Sequence, residues 1–206
     1  MGSAKASLGA SAVGTAAAPN EPTATPLDLA GLLLIALPIW RDERGFFVER
    51  FQLDRLGALN IPTTFVQDNQ SRSMPGVLRG LHFQHGPFQG KLVGVTRGRI
   101  WDVAVDIRPD SPTFGCSAGI ELNDENGLLL WIPGGFAHGF CVLGDEPADV
   151  LYKADTPYTP VREGGIFWGD EQLAIRWPVN RPIVSPRDAA LPRWSTVKAA
   201  LAAAGR

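Results

Sequence analysis

The sequence predicts an all-β fold, namely an antiparallel β barrel or double-sheet jelly roll with a few short helices. Short segments rich in apolar and β-branched residues are separated by Gly, Pro, Asn and Asp, the pattern of strands joined by turns. Within residues 99–107, apolar side chains occupy every second position, as on a strand with one buried face. A chain of 206 residues with so many strands fits one domain built as a barrel or as two packed sheets.

The elements are predicted in order along the chain. Residues 1–26 are mainly Ala, Ser, Thr, Gly and Pro, which cannot offset the entropy of ordering, so we expect a disordered tail followed by a single domain at residues 27–206. Predicted strands occupy residues 32–37, 45–51, 64–73, 77–83, 90–96, 99–107, 115–122, 128–132, 137–143 and 148–154. Short helices are expected at residues 54–58 and 195–205, the second with Ser195 as its N-cap. Residues 168–187, rich in Trp and Pro, should wrap the barrel irregularly.

The second face of the strand at residues 99–107 allows two interpretations. It carries Asp102 and Asp106 among small or aliphatic residues. Such a face could line a polar cavity, or it could be an outer face in contact with solvent.

Composition excludes some partners. The chain is 45% hydrophobic and 19% charged, as in ordinary globular proteins, and its formal net charge is −2. This balance provides no general attraction to nucleic acid or to an anionic membrane. The longest apolar run, residues 29–37, contains Gly31 and ends at Pro38, so it is too short to span a bilayer.

The compartment is predicted to be the cytoplasm. The apolar run follows Asp28 and leads into the charged residues 41–44, which is unlike a secretory signal. Cys116 and Cys141 are interpreted as buried thiols in a reducing environment.

A candidate site begins with the segment at residues 77–84, where a strand-like apolar rhythm carries Arg79 and His82. Arg79 supplies a permanent cation. The unperturbed pKa of histidine, about 6.5, makes His82 a base that is largely neutral at pH 7.

A second motif, Pro-x-Gly-x-x-His, places His138 after a tight turn that begins at Pro133. This spacing resembles the second motif of the cupin barrels. Many cupins bind a metal, and His82, His85 and His138 could form a three-histidine site. Against this, His82 and His85 are three positions apart and would face opposite sides of an extended strand.

A more specific resemblance covers residues 27–194. The shared segments are residues 42–47, 65–69, 76–82, 90–93, 101–108, 111–115, 132–140, 151–153 and 185–188. In this set the chain resembles the nucleotide-sugar epimerases of the dTDP-4-dehydrorhamnose 3,5-epimerase family, which are cupins that need no metal or other cofactor. The resemblance implies a cupin-type barrel and a dTDP-4-keto-6-deoxyhexose as substrate.

The resemblance also implies catalytic roles. Inverting a carbon beside a ketone requires a base, a group that stabilises the enolate oxygen, and an acid on the opposite face. The residue matching the base is His82, paired with Asp188, which would fix the imidazole ring and stabilise the imidazolium. Lys91 matches the lysine near the ketone oxygen, and Tyr152 matches the tyrosine that returns a proton.

Substrate-binding residues are implied in the same way. Arg79 matches a contact to the diphosphate, and guanidinium groups suit phosphate oxygens. His138 is expected to lie against the sugar, with Asp102 behind it. The other matching positions are Arg44, Glu49, Gln67, Asn69, Glu163 and Arg187.

Two positions depart from the family pattern. Arg187 replaces a common lysine, and Pro157 replaces an aromatic residue before Tyr158, so one stacking surface for the base is missing or supplied elsewhere. Because members are typically homodimers whose N-terminal strand region enters the partner's sheet, residues 32–37 are expected to form that strand.

Three questions stay open at this stage. The chain could act at C3, at C5 or at both carbons of the sugar. A metal-dependent cupin dioxygenase or isomerase, and a sugar-nucleotide binding module without turnover, are the alternatives in other functional classes.

Overall fold

The computed structural model describes residues 20–62 and 64–204, and in this part of the chain strands predominate. The strands are β1 (Thr23–Pro26), β2 (Leu33–Ala36), β3 (Ile39–Asp42), β4 (Gly45–Val48), β5 (Gln67–Ser73), β6 (Leu78–Gln84), β7 (Lys91–Arg97), β8 (Arg99–Asp106), β9 (Ser117–Asn123), β10 (Leu128–Ile132), β11 (Phe136–Leu143), β12 (Ala148–Ala154) and β13 (Glu163–Gly165). The helices are α1 (Leu53–Gly57), α2 (Pro186–Ala189) and α3 (Trp194–Ala204), with a 3-10 turn at Pro160–Arg162. The predicted all-β class is confirmed.

Two antiparallel sheets form the jelly roll. The first has the strand order β1-β2-β10-β7-β12-β5, and the second has the order β13-β6-β11-β8-β9. Strands β3 and β4 pair with each other as a separate hairpin. The predicted antiparallel jelly roll is therefore confirmed, and β5 lies at one edge of the first sheet.

The main core lies between the two sheets. Val93 and Val150 of the first sheet belong to the same buried cluster as Ile100, Ala104 and Phe140 of the second. Burial of this apolar surface is the main driving force for packing the sheets together. Since Ile100 and Ala104 point into this core, the alternate residue between them, Asp102, points the same way.

The position of Asp102 decides between the two interpretations of its strand. Asp102 and Asp106 are both fully buried. Asp106 accepts hydrogen bonds from Arg108, Ser111 and Thr113, which fixes the turn after β8. The face that carries the two acids therefore lines the interior, as the cavity interpretation requires.

The outer faces of both sheets are covered. Trp194, Val197 and Leu201 of α3 pack with Val103 and Val105 of β8 against the second sheet. The segment around α1 covers the first sheet through a cluster that joins buried residues of β2, β7 and β10 to Leu56 and Ile61. In the described part of the chain, no helix is long and apolar enough to cross a membrane.

All ten predicted strands are present, and β10 and β12 have the predicted bounds. Strands β1, β3 and β13 were not predicted. Strand β13 has the sequence Glu-Gly-Gly, which has low strand propensity, and it is extended because it pairs with β6. Residues 168–185 contain no helix or strand, as expected, and α2 starts at Pro186.

Three expectations need correction. Residues 1–19 of the predicted tail lie outside the described residues, but Thr23–Pro26 form β1, so the ordered domain begins before residue 27. Helix α3 starts at Trp194 rather than after Ser195, because the Asp170 carboxylate accepts the backbone N–H of Trp194 at 2.9 Å. Cys116 is exposed in the turn before β9, whereas Cys141 is buried as expected.

The strand expected to cross into a partner is also corrected. Strand β2, within the predicted residues 32–37, pairs with β1 on one side and with β10 on the other, all in the same chain. Its two edges are therefore already occupied. The hairpin of β3 and β4 is the N-terminal element that belongs to neither sheet.

Candidate active site

The structure brings His82 and Asp188 together across 106 positions of sequence. His82 lies near the end of β6, and Asp188 lies on α2, where Ser185 caps the helix by accepting the Asp188 N–H at 3.0 Å. One carboxylate oxygen of Asp188 is 2.8 Å from His82 Nε2, and the other accepts the N–H of Gly80 at 3.1 Å. Both oxygens are thus held, which fixes the imidazole ring.

The protonation of His82 suits a base. Burial lowers the pKa of His82, and Lys91 lowers it further, against the opposing effects of Asp188 and Glu163. The imidazole is therefore neutral at pH 7. With Nε2–H donating to the Asp188 carboxylate, the lone pair lies on Nδ1, which is free to accept a proton.

Gly80 allows the strand that carries His82 to lie close to β11. Its φ of +114° is in the region that side chains rarely adopt, and a Cβ there would be 2.7 Å from both Gly139 Cα and His138 O. This close approach places His82 directly opposite His138 in the register of the two strands. Glycine is required here for both reasons.

His138 forms a second histidine–carboxylate pair. Its Nε2 lies 2.9 and 3.0 Å from the two oxygens of Asp102 on β8, and both side chains are buried. The predicted arrangement, with Asp102 behind His138, is therefore present. The pair lies on the inner face of the second sheet, beside the base.

The first sheet contributes Lys91 and Tyr152. Lys91 Nζ lies 5.9 Å from the centre of the Tyr152 ring. Burial lowers the pKa of Lys91 to about 8, although Asp102 and Glu163 act in the opposite direction, so most of the amine is charged at pH 7. Burial and then the charge of Glu163 raise the pKa of Tyr152, so its phenol keeps its proton. The two sheets thus supply a neutral base, a cation and a protonated acid.

Glu163 connects these groups. Its carboxylate accepts a hydrogen bond from the Tyr158 hydroxyl and forms an ion pair with Arg187 at 2.6 Å. Burial acts to raise the pKa of Glu163, but these two partners lower it overall. The charge of Glu163 acts to raise the pKa values of His82, Lys91 and Tyr152. Arg187, which replaces a lysine of the family pattern, is thus held by this carboxylate.

The segment with Pro157 is held by Gln84, a buried side chain that the sequence did not indicate. Gln84 Nε2 lies 3.3 Å from the Pro157 carbonyl oxygen, and its Oε1 accepts the Thr159 N–H at 2.8 Å. Tyr158, between them, is 46% exposed. The backbone on both sides of Tyr158 is therefore held, while its half-exposed ring is open to a planar ligand.

Strand β5 and Arg79 extend the polar surface from Tyr152. Gln67 donates to Asn69 at 2.9 Å and accepts the Tyr158 N–H at 2.8 Å. Arg79 Nε donates to Ser73 Oγ at 2.9 Å. Ser73 was missed by sequence reasoning, because all seven residues of β5 are polar and the sequence does not indicate which of them face inward.

Arg44 and Glu49 lie elsewhere in this chain. Arg44, in the turn between β3 and β4, is paired with Asp42 at 2.5 Å, and its side chain is 84% exposed. Glu49 follows β4 and pairs with Arg55 at 3.2 Å. Neither side chain contacts His82, Lys91 or Tyr152 in the described contacts. The site within this chain therefore does not explain their predicted role in substrate binding.

The three histidines do not form a metal site in the described part of the chain. His85 packs against the edge of Phe83 at a ring distance of 4.8 Å, while the Nε2 atoms of His82 and His138 each bind a carboxylate. Within residues 20–62 and 64–204, no group of three His, Cys, Asp or Glu side chains could hold a metal ion.

Comparison with known proteins identifies the family. Residues 26–196 match the sequence profile of the dTDP-4-dehydrorhamnose 3,5-epimerase family. The chain belongs to this family. The enzyme of that name from Salmonella typhimurium is 50% identical over 164 residues, which are 78% of this chain and 89% of the relative. A dTDP-4-dehydrorhamnose 3-epimerase from Streptomyces niveus is 39% identical over 165 residues, 79% of each chain.

Structural comparison agrees with this membership in the epimerase family. The crystal structure of dTDP-6-deoxy-D-glucose-3,5-epimerase from Legionella pneumophila, in complex with dTDP-4-keto-L-rhamnose, superposes with a TM-score of 0.83 at 48% identity. The match covers 88% of this chain and 97% of that structure. The two-sheet jelly roll is therefore the fold of solved members of the 3,5-epimerase family.

Proposed function

We propose that this chain inverts carbon centres of a dTDP-linked 4-keto-6-deoxyhexose, as a step in deoxysugar (rhamnose-like) biosynthesis. The observation that carries the proposal is the arrangement of His82, Lys91 and Tyr152 on the two sheets. A neutral imidazole held by Asp188 lies on one sheet, while the ammonium of Lys91 and the phenol of Tyr152 lie on the other. These are the three groups that epimerisation beside a ketone requires.

The reaction proceeds through an enolate. His82 Nδ1 takes the proton from the carbon beside the ketone, and the Asp188 carboxylate stabilises the resulting imidazolium. The electron pair moves to the ketone oxygen, whose negative charge is offset by Lys91. Tyr152 then donates its proton to the opposite face of the carbon. Exchange with solvent returns a proton to Tyr152 and removes one from His82.

The nucleotide supplies binding energy away from the reacting carbon, which serves to orient the sugar. Arg79 and Arg187 are suited to the diphosphate, and the half-exposed ring of Tyr158 is suited to the base. Support for the substrate comes from the Legionella relative, whose bound molecule is a dTDP-linked keto sugar. We propose inversion at both C3 and C5, because this chain is more similar to 3,5-epimerases than to the 3-epimerase.

Incubation of the protein with dTDP-4-keto-6-deoxyglucose in heavy water tests this function directly. We expect deuterium at both C3 and C5 by NMR, because each carbon beside the ketone exchanges its proton with solvent through the enzyme. The same incorporation is expected with EDTA present. Absence of incorporation would indicate a binding module, loss with EDTA would indicate a metal-dependent reaction, and deuterium at C3 alone would indicate a 3-epimerase.

A homodimer is the second part of the proposal. The hairpin of β3 and β4 joins neither sheet of its own chain and exposes Trp40, Phe46 and Phe47. The outer edge of β5 pairs with no strand in the described part of the chain. We infer that the hairpin pairs with this edge in a second copy. That exchange would bring Arg44 and Glu49 beside Gln67 and the nucleotide of the partner.

Substitution of Phe47 tests the dimer. Phe47 is 64% exposed on the hairpin, so Phe47→Asp should leave the fold intact but oppose burial against a second copy. By analytical ultracentrifugation we expect twice the chain mass for the wild type and the single-chain mass for the variant. Val161→Asp, at a site 91% exposed outside the hairpin, is the control and should stay dimeric. A monomeric wild type would reject the dimer.

We also propose the cytoplasm as the compartment. Both cysteines of the chain are free thiols, and Cys116 is exposed. An exposed free thiol is consistent with a reducing environment such as the cytoplasm.

A further inference from the structure

Strand β7, which begins with Lys91, is closed at both ends by the same two hydrogen bonds between a glycine and an aspartate. At the Lys91 end, the Gly90 N–H donates to the Asp155 carboxylate at 2.7 Å, and the Asp155 N–H donates to the Gly90 carbonyl oxygen at 3.2 Å. At the far end, the Gly98 N–H donates to the Asp124 carboxylate at 3.1 Å, and the Asp124 N–H donates back at 3.2 Å. Only the first of these two pairs adjoins a residue of the candidate site.

The pair of Gly90 and Asp155 extends the sheet by one step beyond Lys91. Lys91 is the terminal residue of β7, and it lies opposite Ile132 of β10 and Ala154 of β12. The ends of a sheet open more readily than its centre, because fewer hydrogen bonds hold them. The bonds between Gly90 and Asp155 therefore limit how far the end of β7 can move.

The packing around Gly90 is close. A Cβ on Gly90 would lie 2.5 Å from Asp155 Oδ2 and 2.6 Å from the Trp131 ring. Both Gly90 and Trp131 are buried. The carboxylate and the indole thus enclose the backbone directly before Lys91, and the position of this backbone depends on both.

The neighbouring loop with Tyr158 is held by other groups. Gln84 binds the backbone on both sides of Tyr158, and Gln67 accepts the Tyr158 N–H. Removal of the Asp155 carboxylate leaves all of these bonds in place. The effect of such a change should therefore fall on Lys91 rather than on the proposed nucleotide end of the site.

We propose that Asp155 is a positioning residue for Lys91, which it holds where the ammonium can stabilise the enolate oxygen. This inference rests on the proposed function, since it takes Lys91 as the group that offsets the enolate charge. Asp155 acts through the backbone of Gly90 and not on the substrate. A displacement of about 1 Å in a catalytic group can lower a rate by about 10²-fold, so a hydrogen bond at the end of β7 can affect turnover.

Asp155→Ala tests the inference with dTDP-4-keto-6-deoxyglucose as substrate. We expect kcat to fall about tenfold because the end of β7 loosens, while the Kd for dTDP, measured by calorimetry, stays within about twofold of the wild type. Asp155→Asn should keep kcat within about twofold, since an amide oxygen can still accept the Gly90 N–H. The matched control, Asp124→Ala, removes the same bond at the far end of β7 and should keep the wild-type kcat. Tm should fall by similar amounts in the two alanine variants, because each loses one hydrogen bond of the same kind.

The pH dependence of kcat separates positioning from a simple loss of charge. Burial lowers the pKa of Lys91 to about 8, so kcat of the wild type should fall as the pH rises through about 8 and the amine becomes neutral. In Asp155→Ala, a looser strand end should admit water to Lys91, which raises this pKa and moves the fall in kcat to higher pH. Loss of a nearby negative charge alone would move the fall to lower pH. The titratable groups around Lys91, which are unchanged in these variants, are Asp102, Glu163, His82 and Tyr152.

Several results would overturn the inference without affecting the proposed function. These are a kcat of Asp155→Ala within about twofold of the wild type, an equal loss of kcat in Asp124→Ala, an Asp155→Asn variant as slow as the alanine variant, or a fall in kcat that does not move to higher pH in Asp155→Ala. A wild type that does not turn over the keto sugar would instead reject the proposed function, and the inference with it.

Discussion

Replacement of His82 by asparagine is expected to lower the rate of epimerisation by about 10³- to 10⁴-fold, the contribution of a well-placed general base. Asparagine has no lone pair on nitrogen that can take a proton at pH 7, yet its amide can still donate to Asp188. Incorporation of deuterium at C3 and C5 should fall by the same factor, because proton removal is the first step. Binding of dTDP should stay within about threefold of the wild type.

The matched control for this result is His85→Asn. His85 is exposed and contacts Phe83 rather than the pair of His82 and Asp188, so its loss should change the rate by less than about threefold. The two variants together discriminate between mechanisms. If catalysis used a three-histidine metal site, His85→Asn would be inactive as well. Deuterium exchange that survives in His82→Asn would remove His82 from the role of base.

Much of the fold could be predicted from local sequence, because apolar segments bounded by turn residues mark most strands of the two sheets. The failures have a common cause in tertiary structure. β1 (Thr-Ala-Thr-Pro) and β13 (Glu-Gly-Gly) contain no large apolar residue, and they are strands because neighbouring strands pair with them. The start of α3 depends on Asp170, which is 24 positions away and could not be paired with Trp194 from sequence.

The candidate site was also hard to predict from local sequence, because its residues are far apart in the chain. His82 and Asp188 are 106 positions apart, and only the resemblance to a family linked them before the structure did. The resemblance also included Lys91, Tyr152 and Glu163. The structure places Lys91 beside Tyr152, and the charge of Glu163 acts on both. What the sequence did not show is the register that places Asn69 of β5 opposite Tyr152, since a strand made only of polar residues also fits a solvated edge.

Tyr152→Phe is expected to separate proton removal from proton return. The phenyl ring still packs beside Lys91, so the enolate keeps its stabilising cation, and His82 still removes the proton. On the opposite face of the substrate carbon, however, the phenylalanine has no hydroxyl that could donate a proton. The enolate is then protonated again by His82 on the original face. We expect the yield of epimer to fall by about 10²- to 10³-fold, while deuterium continues to enter the unchanged substrate.

The ratio of deuterium incorporation to epimer formation, read by NMR from one reaction, is the decisive quantity. The chain has a second tyrosine, Tyr158, whose hydroxyl binds Glu163 and which lies at the proposed nucleotide end of the site. Tyr158→Phe should therefore raise KM and leave this ratio unchanged. A high ratio in Tyr152→Phe alone assigns the acid to Tyr152, because weaker substrate binding lowers both products equally. If the ratio is the same in both variants and in the wild type, the proton that completes inversion comes from another group, and Tyr152 only shapes the cavity.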